Sequence, residues 1–156
     1  MKRFNKMTAF LAAAAAALLL TACGGPKKDV EVDAAKLAGE LQQTVTSGQL
    51  SQTAPEVALS TFFLTADDVE SCTSYAGSGI ASEIAVIKRA EKTDGKTITE
   101  KLQTHVKNQE DLYASYNEAE AAKLKNAIIK TAGSYTVLCV CDDTEQAEKI
   151  LKSYGF

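Results

Sequence analysis

The stretch YTVLCVC, residues 135–141, constrains the fold of this chain more than any other. It is rich in β-branched and apolar residues, which favour a strand. Side chains of a strand point alternately to its two faces, and here both faces are apolar. A strand of this kind has to be buried on both sides, so we expect it at the centre of a sheet.

Three further strands are expected, arranged as hairpins. AIIKT, residues 127–131, precedes the central strand and is joined to it by a short turn at Gly133 and Ser134. A glycine at the first position of a two-residue loop favours a hairpin. Residues 69–76 and 82–91 form a second pair of strands around a Gly-Ser-Gly turn. These local hairpins indicate an antiparallel sheet.

Four helices are expected around these strands. The helical spacing of apolar residues and the helix-capping residues place them at 34–45 after Asp33, after Pro55, at about 96–114, and after Asp143. The predicted order is α-α-β-β-α-β-β-α. It indicates an α+β fold in which a small antiparallel sheet of about four strands has helices packed on one face. We expect residues 33–156 to form this single domain.

The beginning of the chain has the features of an export signal. A basic segment, residues 2–6, precedes an apolar stretch at residues 9–20. That order is typical of a secretory signal. The apolar stretch is about a dozen residues long, whereas a permanent transmembrane helix needs about 20. We therefore interpret residues 1–22 as a cleaved lipoprotein signal peptide.

The end of this signal resembles a bacterial lipobox, with Leu20, Thr21 and Ala22 before Cys23. In sequences of that type a diacylglyceryl group is attached to the cysteine sulfur, and a peptidase cuts just before the cysteine. The resemblance implies that Cys23 carries the lipid, with acyl chains such as palmitate, and that residues 23–32 form a lipidated N-terminus and tether. Two or more acyl chains give stable anchoring. An ordinary secretory signal that leaves Cys23 as a free thiol is the alternative.

The net charge of the chain and its expected location limit the partners that it can have. The formal net charge is −3, and a nucleic-acid-binding protein would need a basic face. We expect no nucleic-acid partner. The expected contacts are the membrane, through the N-terminal lipid, and an unidentified envelope protein or ligand. The expected location is the extracytoplasmic face of the cell membrane.

Three cysteines remain once Cys23 is assigned to lipid: Cys72, Cys139 and Cys141. An exported protein can form disulfides. Cys139 and Cys141 are two apart on one strand, about 6.5–7 Å from each other, which is at the limit of what a bridge tolerates. Cys72 could reach either of them if its strand is a neighbour. The alternative is that all three are small buried thiols in the core.

Neither a metal site nor a catalytic set is indicated. The three cysteines and His105, the only histidine, would suit zinc, but a Cys-x-Cys pair within an apolar strand lacks the turn that usually gathers thiolates. Acidic residues that are adjacent in the sequence point in different directions. Ser78 lacks a convincing base. We predict no cofactor, no metal and no catalytic residues.

Tyr113 and Tyr116 form a candidate partner surface. They lie three residues apart in LYASY, on one face near the end of a helix. Tyrosine is common at binding surfaces because it combines apolar area with a polar tip. The alternative is that this helix end packs on the sheet with its hydroxyls reaching water.

The order of several segments resembles a family of small bacterial lipoproteins, catalogued as domain of unknown function 4358. These segments are YAGSGIASEIAVIK at 75–88, YASY at 113–116, KLKNAIIKTAGSYTVLCVCDD at 123–143, and a C-terminal amphipathic helix. The resemblance extends from about Val30 onward. It implies a compact extracytoplasmic domain behind a lipobox, and it brings no established activity.

The sequence therefore predicts a lipid-anchored extracytoplasmic domain of unknown activity. We interpret it as a noncatalytic binding or adaptor lipoprotein at the cell envelope. The alternative is an envelope enzyme whose carboxylates and tyrosines meet in a site that the linear sequence does not reveal.

Overall fold

The computed structural model describes residues 31–156. The elements follow one another as α1 (Ala34–Gln42), β1 (Leu50–Thr53), α2 (Pro55–Thr61), β2 (Val69–Gly77), β3 (Glu83–Arg89), α3 (Gly95–Ala114), α4 (Glu118–Lys125), β4 (Ile128–Ala132), β5 (Tyr135–Val140) and α5 (Thr144–Ser153). The predicted signal peptide and the lipobox with Cys23 lie outside the described residues. Within 31–156, no helix has the length and apolarity needed to cross a membrane.

The strands form one antiparallel sheet in the order β1-β2-β3-β5-β4. This confirms the α+β class and the antiparallel sheet, and the predicted order of elements is broadly matched. Two elements were not predicted, β1 and α4. The strand β1 (LSQT) is short, mostly polar and at the sheet edge, so it carries no apolar alternation. The helix α4 (EAEAAKLK) has no clear apolar stripe in its sequence.

Helices cover both faces of the sheet, which corrects the expectation of a single covered face. On one side α1 and α5 pack on Val137 and Cys139, and on the other side α2, α3 and α4 pack on Leu138 and Val140. The physical reason lies in β5 and its neighbour β3, whose apolar residues alternate to both sides. Strands that are apolar on both faces need a layer of helices on each.

The C-terminal helix α5 ends in a Schellman motif with glycine at its left-handed position. Gly155 has a φ angle of 91°. The amides of Gly155 and Phe156 donate hydrogen bonds to the carbonyls of Lys152 and Leu151. Glycine is the usual residue at this position, because it has no Cβ to clash in the left-handed conformation.

The helix α2 ends in the same motif with a phenylalanine in place of the glycine. The amides of Phe63 and Leu64 donate to the carbonyls of Ser60 and Leu59. Phe63 has a φ angle of 57° and is the only non-glycine residue with positive φ in the described part of the chain. For a residue with a Cβ, the left-handed conformation is less stable by about 1–2 kcal/mol. The end of α2 therefore holds a strained aromatic residue.

Phe63→Gly is expected to be more stable than Phe63→Ala by about 1 kcal/mol. Both variants remove the ring, so their difference isolates the strain of a Cβ at positive φ. The measurement is urea-induced unfolding of both variants. Asn108, which is exposed in the middle of α3, provides the control. There Ala is expected to be more stable than Gly, by about 1 kcal/mol. If the Ala variant were also more stable than the Gly variant at position 63, the strain assigned to Phe63 would be contradicted.

Candidate functional site

Charged side chains, some buried and some partly exposed, gather at the end of the sheet where β3 begins and β5 ends. They come from β3, α3, α4 and the residue after Cys141, so four separate parts of the chain build this end. We refer to five of these residues as the acid–base cluster: Glu83, His105, Glu120, Lys123 and Asp142.

The first part of the cluster is a pair between Glu83 and His105. The imidazole Nε2 lies 2.6 Å from Glu83 Oε1, and the two side chains are only 11% and 4% exposed. The ring of Phe62 packs edge-on against the imidazole, with centroids 5.1 Å apart. A buried carboxyl is tolerated where a hydrogen-bond partner accompanies it, and His105 fills that role for Glu83.

The second part is centred on Lys123. Its ammonium lies 2.8 Å from Glu120 Oε1 and 2.9 Å from Asp142 Oδ1, and it donates to the hydroxyl of Ser47 at 2.7 Å. The second oxygen of Asp142 accepts from the backbone amides of Thr46 and Ser47, at 2.6 and 2.8 Å. These bonds fasten α4, the end of β5 and the loop between α1 and β1 to one another.

Both charges of the Lys123–Asp142 pair are favoured by their surroundings. Burial opposes the charge on Lys123, but the hydrogen bonds to Glu120 and Asp142 outweigh it and hold the pKa of Lys123 above its usual value. Burial likewise opposes ionised Asp142. The Lys123 ammonium and the two backbone amides nevertheless hold the pKa of the Asp142 carboxyl well below its usual range. The pair therefore stays charged across the whole neutral range.

Glu120 also holds the segment before β3, and the Tyr113 hydroxyl lies near carboxylates of both parts. The second oxygen of Glu120 accepts from the amide of Ala81 at 2.7 Å, two residues before Glu83. Burial raises the pKa of Tyr113 to about 12, assisted by Tyr116 and by the carboxylates of Glu120 and Glu83. The Tyr113 hydroxyl therefore stays protonated beside the cluster at neutral pH.

The cluster holds groups that can exchange protons, but Glu83, His105 and Glu120 are buried, Lys123 is half-buried, and Asp142 alone of the five is exposed. Each of the five side chains has a protein partner. Four open depressions in the described part of the chain lie mainly along the outer side of α3, and no member of the cluster lines any of these four. General acid–base catalysis needs a substrate within hydrogen-bond reach. In this arrangement the cluster fastens structural elements together.

A family model described as Domain of unknown function (DUF4358) matches residues 47–141, more than half of the chain. The chain belongs to the DUF4358 family. The matched segment contains the whole sheet and the helices α2, α3 and α4, but neither α1 nor α5. Four members of the acid–base cluster fall inside it, and Asp142 is the first residue after it. Searches of curated proteins and of solved structures returned no match.

The two tyrosines predicted as a partner surface have different environments in the DUF4358 domain. Their ring centroids are 5.2 Å apart, but Tyr113 is only 8% exposed and Tyr116 is 64% exposed. Tyr113 belongs to the core beneath α3 and α4. The outward-facing part of this candidate surface therefore consists of Tyr116 and its exposed neighbour Leu112.

The cysteines of the DUF4358 domain lie on opposite sides of the sheet. Cys72 lies on β2 and packs on the side of α2, α3 and α4, whereas Cys139 and Cys141 pack with α1 and α5. The strand β3 separates β2 from β5, so Cys72 cannot bridge to either of the others. All three are free, and burial raises the pKa of the Cys72 thiol to about 11.

The cysteines and His105 are not assembled into a metal site. His105 lies on the side of Cys72, with the sheet between it and the other two cysteines. Within residues 31–156, no group of three or more His, Cys, Asp or Glu side chains is arranged to hold a metal ion.

Most of the acid–base cluster was missed by reasoning from the sequence. One signal was available, because Glu83 is a charged residue directly before the apolar run 84–87 and a buried partner could be expected for it. The sequence does not indicate which residue pairs with His105, because Glu83 lies 22 positions away from it. Lys123 and Asp142 carry no local signal, because the fold alone brings them together.

Proposed function

We propose that this DUF4358 protein is a lipid-anchored, noncatalytic binding or adaptor domain on the extracytoplasmic face of the cell membrane. The observation that carries the proposal is the sequence Leu20-Thr21-Ala22-Cys23 directly after a basic and a short apolar segment. Cys23 is the proposed site of lipid attachment, and the three residues before it form the proposed recognition sequence of the signal peptidase.

The distance between the anchor and the folded domain supports a location close to the membrane. Eight peptide units connect Cys23 to Glu31, and a fully extended chain of that length spans at most about 29 Å. Val32 already belongs to the core. In the proposed arrangement the domain acts within a few nanometres of the lipid surface. Tyr116 and Leu112 provide its candidate contact with an envelope partner.

An envelope enzyme is the second candidate function. The convergence of Glu83, Glu120, His105 and Tyr113 favours it, because carboxylates and a tyrosine do meet in this fold. All four are buried, so a substrate would reach them only if α3 or α4 moved. A binding domain requires no such opening, and we therefore favour the binding role.

Cys23→Ala is expected to move the protein from the membrane fraction to the soluble fraction, because the variant lacks the sulfur that accepts the lipid. The measurement is fractionation of cells that express the full chain, combined with intact-mass analysis of the purified protein for the acyl groups. Cys72→Ala is the control and is expected to stay in the membrane fraction. A Cys23→Ala variant that remains in the membrane fraction with unchanged mobility would contradict the proposed anchor.

A further inference from the structure

The strand β4 forms one edge of the sheet, and some of its backbone groups face outward. The amide of Arg89 in β3 donates to the carbonyl of Ser134. Backbone groups of successive residues in an antiparallel strand point to opposite sides, so Tyr135 directs its own toward β4. The register of β4 and β5 then leaves the amides and carbonyls of Ile129 and Thr131 on the open side. This edge therefore offers a row of donors and acceptors to another strand.

An open groove runs along the boundary between this edge and α3. Near the start of β4 it is lined by apolar side chains, with Val106 on α3, Leu124 on α4, and Ala127 and Ile129 on or next to β4. A second depression continues along the strand between Thr131 and the first turns of α3. We refer to the two depressions together as the edge groove. Since both border β4, the groove follows the strand along its length.

The start of the edge groove carries an exposed positive charge. Lys107 and Lys125 both lie at its rim. Lys107 is already paired with Glu110 and Asp111. Lys125 is exposed, and among the salt bridges within residues 31–156 none includes it. A carboxylate of a bound partner is complementary to this lysine.

We propose that the edge groove binds an extended peptide segment of a partner protein, which adds to the sheet as a further strand antiparallel to β4. Its backbone pairs with Ile129 and Thr131, and its alternate side chains enter the groove beside Val106. The C-terminal part of an antiparallel segment lies at the start of β4, where an acidic side chain pairs with Lys125. The inference rests on the proposed binding role and names the kind of partner.

A second copy of the chain is a poorer occupant than such a peptide. The strand that it would place in the groove, Ile128–Ala132, has the sequence IIKTA and contains no carboxylate for Lys125. The symmetric register that pairs Ile129 of each copy with Thr131 of the other also sets the two Lys130 side chains opposite each other. Like charges directly opposite destabilise a pair of strands.

The test selects short peptides from a displayed random library on the purified full chain. The selected peptides are expected to alternate apolar residues and to carry Asp or Glu toward the C-terminal end. Thr131→Pro is expected to bind them about tenfold more weakly, because it removes an outward amide, and an edge strand tolerates proline at such a position. Thr131→Ala is the matched control. It loses the same hydroxyl but keeps the amide, and its affinity is expected to change less than about twofold.

Two further measurements locate the bound peptide. Lys125→Glu is expected to weaken binding about fivefold, and the effect should shrink with added salt. Amide exchange of the full chain, followed by NMR, is expected to slow at Ile129 and Thr131 when a selected peptide is present. This measurement uses the unchanged protein, so it decides the matter even if Thr131→Pro does not fold.

A library that yields no binders, equal affinities of Thr131→Pro and Thr131→Ala in their folded state, or unchanged exchange at both amides would overturn the peptide site. A dimer that Thr131→Ala forms and Thr131→Pro does not form, measured by sedimentation equilibrium, would show that a second copy covers the edge and would also overturn it. The fractionation of Cys23→Ala tests the anchor separately, so the failure of the peptide site and the failure of the anchor remain distinguishable.

Discussion

Replacing His105 by leucine is expected to lower the free energy of unfolding by about 3–5 kcal/mol. The variant leaves the Glu83 carboxylate without its hydrogen-bond partner in a nearly dry environment. Leucine is close to histidine in volume, so a cavity contributes little to the loss. The measurement is urea-induced unfolding at pH 7, followed by far-UV circular dichroism.

The double variant Glu83→Leu/His105→Leu shows whether the stability lost in His105→Leu comes from the missing hydrogen-bond partner of Glu83 or from altered packing. It is expected to recover most of the stability, because well-packed apolar residues often replace a buried pair at little loss. Lys107→Met is the control, since its pair with Asp111 is exposed and contributes at most about 1 kcal/mol. Equal losses in His105→Leu and in the double variant would show that the pair is not coupled.

Lys123→Met is expected to lower the free energy of unfolding by about 3 kcal/mol at pH 7. The variant leaves two carboxylates, on Glu120 and Asp142, without the ammonium that lies between them. It also removes the donor to Ser47 and so loosens the loop between α1 and β1. Lys125→Met, at an exposed position on the same helix, is the matched control and is expected to change stability by less than about 0.5 kcal/mol.

The stability lost in Lys123→Met is expected to depend on pH, both in the acidic and in the alkaline range. The pKa of Asp142 is lowered from 3.8, so its pairing stabilises the fold above that value and is lost as the pH falls toward the lowered pKa. The pKa of Lys123 is raised from 10.5, so its contribution is present below that value and is lost as the pH rises through the raised pKa.

The stability difference between wild type and Lys123→Met should therefore be largest from about pH 5 to 10, and it should shrink outside this window. Unfolding curves measured from about pH 2 to 11 would test this, since that range extends beyond the window on both sides. A constant difference over that range would show that the loss comes from packing of the lysine stem rather than from its charge.

The features that could be predicted from the sequence are the strands, turns and helix caps formed by residues close together in the chain. The apolar run 135–141 predicted the central strand, and Gly133, with a φ angle of 56°, makes the predicted turn before it. Asp33 and Asp143 cap their helices by accepting from the backbone amides of Lys36 and Gln146. Each of these features depends on residues within a few positions of one another.

The features that could not be predicted depend on distant residues. His105 and Glu83 are 22 positions apart, and the loop amides that bind Asp142 are 95 and 96 positions away from it. No periodicity or spacing encodes such contacts. The second helix layer could have been inferred, because a central strand that is apolar on both faces requires it.

The order of the strands has a consequence for the folding of the chain during synthesis. One edge of β3 pairs with β2, its neighbour in the sequence, whereas its other edge pairs with β5, with Ile84 opposite Cys139. That second edge stays open until more than 50 further residues have been made. An open apolar strand edge is a template for pairing with other chains. The second edge of β3 is therefore covered only when the last hairpin, β4 and β5, has formed. In a chain that ends before Tyr135 this edge stays open to pairing with other chains.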